Sequence, residues 1–127
     1  MQMSYVTREY WHGMIKMSLS TFFILRVLYT QPMHGYGIVR AVAELTEGCC
    51  SPTEGTVYPV LRSLSKEGCV RASTQEVDGR KRRVYTLTPT GRRAFEVAVE
   101  VWCEITEHVL EASGITRAPT RSGAKQT

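Results

Sequence analysis

Beyond Gly68 the apolar residues of this chain change from a helical to an extended period. The segment VRASTQEV (70–77) is followed by Asp78-Gly79 and then by RKRRVYTLT (80–88). Asp-Gly is a favoured pair for a two-residue hairpin loop, because both positions need a positive φ angle. We therefore predict a two-stranded β-hairpin here, and the segments on either side of it have helical spacing.

Helical segments precede the hairpin. We predict a short helix within residues 5–16, broken or kinked near Gly13, and a buried helix from residue 18 that ends before a Gln-Pro pair at 31–32. The next helix opens at His34 and stops at Gly48, since glycine is common just after a helix end.

The following helix has a strong start pattern. Ser51 is a favourable N-cap, Pro52 suits the first helical position, and Glu54 completes a capping box with Ser51. Apolar residues then recur at helical spacing up to Gly68. The short connection from Glu47 to Ser51 is typical of a helix-turn-helix.

A long amphipathic helix follows the hairpin, capped by Thr88 and extending to Ser113. Its apolar residues alternate steps of three and four, as at the a and d positions of a coiled coil: Phe95, Ala98, Trp102, Ile105, Val109 and Ala112. This seam is longer than one small core requires, so we predict that it forms a homodimer. Tyr10 and Trp11 are expected to pack on the partner's last helix.

Together these elements predict a mainly α chain with a small β-hairpin, that is, a winged helix-turn-helix followed by a long C-terminal dimerisation helix. The expected domains are a DNA-binding domain with an N-terminal helical extension (1–88), the dimerisation helix (89–114) and a disordered tail (115–127).

The candidate DNA contacts lie on three elements. A recognition helix enters the major groove by its N-terminal end, which here offers Ser51, Thr53, Glu54, Gly55, Thr56, Tyr58 and Arg62. The hairpin supplies Arg80, Lys81, Arg82 and Arg83, whose mutual repulsion phosphates would relieve. His34 and Tyr36 are placed for backbone contacts.

Each of these assignments has an alternative. Ser51 and Glu54 are also explained by helix capping alone, Tyr36 by core packing, and the basic run by a solvated loop.

Composition narrows the function classes. The 127 residues carry a net charge of +4, which permits nucleic acid or an anionic membrane as a partner. No apolar run approaches the roughly 20 residues of a membrane helix, and the N-terminus does not resemble a signal peptide, so we expect a cytoplasmic protein that does not contact membranes. We find no catalytic triad, no paired carboxylates in an apolar setting and no phosphate-binding glycine loop, and therefore predict neither an enzyme nor a cofactor.

The four cysteines lack the paired spacing of a metal site, and we expect reduced thiols and no bound metal. The adjacent Cys49 and Cys50, at the foot of the recognition helix, suggest one alternative function. Two thiolates there are suited to bind a soft metal or metalloid, with Cys103 as a further donor, or to sense oxidation. The competing interpretation is that they are small buried apolar residues.

Three segments carry a family resemblance: HGYGI (34–38), SPTEGTVYPVLRSLSKEGCV (51–70) and GRKRRVYTLTPTGRRAF (79–95). They resemble the PadR-like family of transcriptional regulators, in its shorter form with a single C-terminal helix. Cys69 departs from the family, where an aliphatic residue is usual.

The resemblance implies a dimeric repressor that binds a specific double-stranded operator and leaves it when a small, often aromatic, effector binds. Trp102 and Trp11 are the candidate ligand-binding residues, with a packed dimer interface as the alternative role of Trp102. A winged helix used for protein–protein contact is the other function to be distinguished.

Overall fold

A computed structural model of the chain describes residues 5–115. The first helix, α1, spans Arg8–Thr30 without interruption, and the Thr7 hydroxyl caps it by accepting the Tyr10 N–H (3.3 Å). The predicted break near Gly13 is therefore wrong. One glycine costs a helix only about 1 kcal/mol, which the packing of the rest of α1 outweighs.

Six further elements follow, and all of them except β1 come in the predicted order. They are β1 (Met33–His34), α2 (Gly35–Leu45), α3 (Glu54–Lys66), β2 (Val70–Val77), β3 (Arg80–Leu87) and α4 (Pro89–Ser113). The mainly helical winged helix-turn-helix fold is confirmed. None of the described helices is long and apolar enough to cross a membrane.

The sheet has three antiparallel strands in the order β1-β3-β2. The predicted hairpin is confirmed: Val77 pairs with Arg80 across the turn, where Asp78 (φ 53°) and Gly79 (φ 78°) both have the left-handed backbone of a type I′ loop. The sequence did not indicate β1, because two residues are too few to show a strand period. Met33 of β1 pairs with Tyr85 of β3.

The start of α3 differs from the prediction. The N-cap is Thr53, whose hydroxyl accepts the Thr56 N–H (3.3 Å), and the helix begins at Glu54. Ser51 instead donates to the Gly48 carbonyl (3.3 Å), so the capping box of Ser51 and Glu54 does not form. The cause lies in the preceding loop, where the Thr46 hydroxyl accepts the Cys50 N–H (3.0 Å) and holds the chain in a turn.

One hydrophobic core joins α1, α2, α3 and the sheet. Its least exposed members are Ile24, Ile38, Val42, Val57 and Leu61. Tyr58 packs beside this core, with its ring and hydroxyl directly over Gly35 at the start of α2. This contact sets the approach of α3 to α2, because any side chain at residue 35 would overlap the ring.

Thr88 caps α4 as predicted. Its hydroxyl oxygen accepts the Gly91 N–H (3.0 Å) and donates to the Gly68 carbonyl (2.6 Å), which joins the start of α4 to the turn after α3. The chain divides into two compact units between Val97 and Ala98. The predicted disordered tail lies outside the described residues from residue 116 onward.

Candidate nucleic-acid interface

The first turn of α3 is fully accessible. Thr53, Glu54, Gly55 and Thr56 are all exposed, and the Thr53 and Thr56 hydroxyl oxygens lie 3.3 Å apart. Arg62 is exposed further along the helix. Unpaired N–H groups and the helix dipole favour negative charge at such an end, and short side chains let a nucleic-acid backbone approach closely.

Tyr58, a predicted DNA contact, has a packing role in the structure. It is half-buried against Gly35. Burial raises the pKa of the Tyr58 hydroxyl, nearby Glu54 and Tyr85 raise it further, and Arg82 lowers it. Tyr58 therefore packs from α3 against the start of α2, with Arg82 and Tyr85 of β3 nearby.

The hairpin β2–β3, called the wing from here on, carries the basic run on β3. Successive residues of a strand point to opposite faces, so Arg80 and Arg82 share one face and Lys81 and Arg83 the other. Among residues 5–115 no Lys or Arg nitrogen lies within 4.0 Å of a carboxylate oxygen, and the one histidine that does is His108, beside Glu111 (4.0 Å). The four wing cations thus have no carboxylate partner there and are available to bind an anion.

A cleft of about 540 Å³ separates the wing from the start of α2. His34, Tyr36, Arg40 and Arg82 line it. The His34 Nδ1 accepts the Gly37 N–H (3.1 Å) and so caps α2, a role the sequence did not suggest. The cleft therefore brings the two predicted backbone contacts, His34 and Tyr36, close to the wing.

Arg40 is a further cation in this cleft that sequence analysis missed. Its guanidinium carbon lies 5.9 Å from the centre of the Tyr36 ring. Its spacing of four residues from Tyr36 places both on one face of α2, and that spacing would have been enough to identify it.

The predicted dimer residues on α4 differ in exposure along the helix. Phe95 packs within its own unit, with ring centres 5.3 Å from Phe22 and 5.0 Å from Tyr29. The more distal Ile105 and Val109 remain exposed, at 47% and 59% of their surface. Ala98 and Trp102, which lie between these residues on α4, are half-buried.

The N-terminal aromatic residues form a small cluster on α1. Trp11 is 46% exposed, its indole N–H donates to the Tyr5 carbonyl (2.7 Å), and its ring meets Tyr10 edge-on at 5.2 Å. Tyr5 and Trp11 line a groove of about 480 Å³ that reaches Cys49 and Cys50.

The four cysteines are free thiols, with Cys49 and Cys103 exposed and Cys50 and Cys69 buried. The Cys50 thiol donates to the Cys49 sulfur (3.8 Å). Across residues 5–115 the structure forms no group of three or more His, Cys, Asp and Glu side chains suited to hold a metal ion.

Comparison with known proteins agrees with this geometry. The sequence profile of the Transcriptional regulator PadR-like family matches residues 24–97. The chain is 41% identical over 78 residues to the transcriptional regulator Rv3488 of Mycobacterium tuberculosis, a match that covers 61% of this chain and 70% of that protein. It is 31% identical over 85 residues to an uncharacterised protein of Lysinibacillus sphaericus, which covers 66% of this chain and 78% of that protein.

The fold also has solved counterparts. The crystal structure of a PadR family transcriptional regulator from Eggerthella lenta superimposes with a TM-score of 0.75 at 18% identity. The match covers 85% of this chain and 93% of that one, so the likeness in fold extends over most of both chains.

Proposed function

This chain belongs to the PadR-like family of transcriptional regulators, and from that premise we propose that it is a cytoplasmic homodimeric repressor released from its operator by a small ligand. The regulator class comes with the family. The repressor mode is what the family resemblance implies, and for the dimer and the ligand there are supporting observations in the structure.

The observation that carries the proposal is the accessible first turn of α3 together with the wing, whose four cations have no carboxylate partner within residues 5–115. Side chains of the first turn of a recognition helix reach base edges in the major groove. Wing cations that neutralise phosphates release counterions, which drives binding without regard to sequence. On this proposal α3 supplies specificity and the wing supplies affinity.

The exposed apolar residues of α4 support the dimer. Val101, Ile105, Val109 and Leu110 are each at least 40% exposed in the single chain. A helix that buries these residues against a second copy removes apolar surface from water and presents two α3 helices to two half-sites.

For the effector we propose a small, flat, aromatic molecule that stacks on Trp11. The support is chemical, because an exposed indole stacks on aromatic ligands. Trp11 and Tyr5 line a groove of about 480 Å³, which is large enough for a small aromatic ligand.

The test is fluorescence anisotropy with a duplex from the upstream region of the chain's own gene, and a scrambled duplex as control. Contact with about four to six phosphates per dimer gives a log–log slope of affinity against salt of about −4 to −5. A helix-turn-helix used only for protein contact would show no duplex binding in dilute buffer, and that outcome would overturn the proposal.

Repression is tested in cells that carry a reporter behind the same upstream region. Loss of the regulator should raise reporter expression, and a fall would instead indicate an activator. Aromatic compounds added to the anisotropy assay identify the effector as the compound that lowers operator affinity.

A further inference from the structure

Three reactive groups outside the DNA-binding surface lie together. The Cys49 sulfur is 3.4 Å from Nε2 of His12 on α1 and 3.8 Å from the Cys50 sulfur. His12 and Cys49 are 37 positions apart in the chain, so the fold and not the local sequence creates this contact. The cluster joins α1 to the loop that leads into α3.

The two thiols differ in environment. Cys49 is exposed, whereas Cys50 is only 6% exposed and donates its S–H to the Cys49 sulfur. Burial raises the pKa of the Cys50 thiol, the adjacent Cys49 raises it further, and Lys16 lowers it. Cys49 is therefore the thiol that reacts first, with His12 positioned to accept its proton, and Cys50 is the second sulfur held beside it.

The same two cysteines line the groove of about 480 Å³. The rest of its wall includes the apolar side chains of Tyr5, Trp11, Ile15 and Leu19. The groove therefore combines a pair of adjacent sulfurs with room for a flat apolar group.

We infer that Cys49 and Cys50 bind a trivalent organic arsenical whose apolar substituent occupies this groove. Trivalent arsenic with one carbon substituent has two remaining bonds, and it forms them preferentially to two sulfurs. Two bonds to sulfur of roughly 2.3 Å, the length known for zinc thiolates, reach sulfurs up to about 4.6 Å apart, so the pair at 3.8 Å is close enough for one bridging atom. A structural zinc ion needs four ligands, more than residues 5–115 assemble at this point.

With phenylarsine oxide as the probe, the reaction balances without a change of oxidation state. The two S–H bonds and the bond from arsenic to oxygen break, and two bonds from arsenic to sulfur form. The oxygen leaves with both thiol protons as one water molecule. His12 carries the Cys49 proton in the first step.

The position of Cys50 couples this site to DNA binding, and this part of the inference rests on the proposed function. Cys50 directly precedes Ser51 and lines a second groove with Thr53 and Thr56, the capping pair of α3. Its N–H is held by the Thr46 hydroxyl (3.0 Å). A bridge between the two sulfurs pulls Cys50 toward Cys49, so the loop and the first turn of α3 shift and affinity for the operator falls.

Binding is tested by intact-mass measurement on the reduced full chain in thiol-free buffer. We expect a gain of one phenylarsine oxide less one water per chain, both in the parent and in a Cys103→Ser control. Cys49→Ser, at an exposed position, should lose the adduct without loss of fold. An adduct that persists in Cys49→Ser, or disappears in Cys103→Ser, overturns the assignment.

His12 and the groove are tested separately. His12→Gln should slow adduct formation several-fold while the final stoichiometry stays at one, and an unchanged rate contradicts its role as proton acceptor. Competition with a small dithiol should show tighter binding of phenylarsine oxide than of inorganic arsenite, with a smaller preference in Trp11→Ala. Equal affinity for the two probes rules out the groove as the substituent site.

The effect on DNA is measured with the same duplex as above. Phenylarsine oxide should weaken operator affinity about tenfold or more in the parent, in the usual range of allosteric coupling, and leave Cys49→Ser unaffected. If the proposed function fails, the adduct forms but the untreated chain does not bind the duplex. If the inference fails, the duplex is bound and the arsenical changes neither mass nor affinity.

Discussion

Tyr58 fills the space that a side chain at residue 35 would need, and this packing gives the first prediction. Gly35→Ala places a methyl group against the ring and should destabilise the chain by about 1–3 kcal/mol, as overpacking does. Urea unfolding measures the change. Gly13→Ala is the matched control, since nothing lies within 4 Å of that position and alanine favours a helix by up to about 1 kcal/mol. Equal effects at the two glycines would contradict the packing described.

The raised pKa of Tyr58 makes stability depend on pH above its ordinary value of 10.0. The folded chain holds this proton at a pH where the unfolded chain releases it, so the contribution is full below pH 10 and is lost as pH rises through the folded pKa. Tyr58→Phe should therefore lose less stability than the parent between about pH 9 and 11. Urea midpoints of the parent and of Tyr58→Phe, measured at about pH 9 and about pH 11, test this.

Thr53 and Ser51 are both favourable capping residues, and the structure assigns the cap to Thr53. Thr53→Ala should cost about 1 kcal/mol, the usual value of an N-cap, whereas Ser51→Ala removes only a bond to the exposed Gly48. Thermal unfolding without DNA distinguishes them. A larger effect of Ser51→Ala would restore the predicted capping box.

Among the elements, the wing yields the next prediction. Arg80→Ala combined with Arg82→Ala should weaken binding to every duplex about equally and flatten the salt slope by about 1 for each phosphate that is no longer neutralised. Lys66→Ala combined with Arg93→Ala removes the same amount of charge from outside the wing and serves as the control. Undiminished affinity of the wing variant at low salt would show that the wing does not contact DNA.

Thr56→Ala, on α3, should instead change the preference among operator sequences.

Elements with a long or complete pattern were predictable from sequence: the hairpin from Asp78-Gly79, and α4 from Thr88 to Ser113. Elements that depend on weak local preferences or on distant contacts could not be predicted from the sequence. The free-energy cost of Gly13 was too small to break α1. The strand β1 forms because it pairs with β3, which the two residues alone do not indicate. The proximity of Cys49 to His12 was beyond the sequence for a related reason, since it depends on how α1 packs against the loop after α2.

For the molecule as a whole, the proposed dimer makes the last prediction. Ile105→Glu combined with Val109→Glu places charges at exposed apolar positions of α4 that a partner would bury. In a two-fold interface each substitution acts twice, so association should weaken by at least about 100-fold, since a buried unpaired charge costs several kcal/mol. Light scattering after gel filtration at micromolar concentration measures this. Glu107→Lys, a charge change on the exposed side of the same helix opposite the seam, should still dimerise.

Because the four cations of β3 are consecutive, each face of the wing keeps the same charge when the strand shifts by one residue. Any four consecutive strand residues place two side chains on each face, so deletion or insertion of one residue near Asp78 would exchange the two pairs without changing either face's charge. The buried Tyr85 and Leu87, which share one face of β3, have no such tolerance, since the same slip would move both side chains to the opposite face. Length variation among related wings is therefore expected at the tip, with the apolar base as the part that fixes alignment.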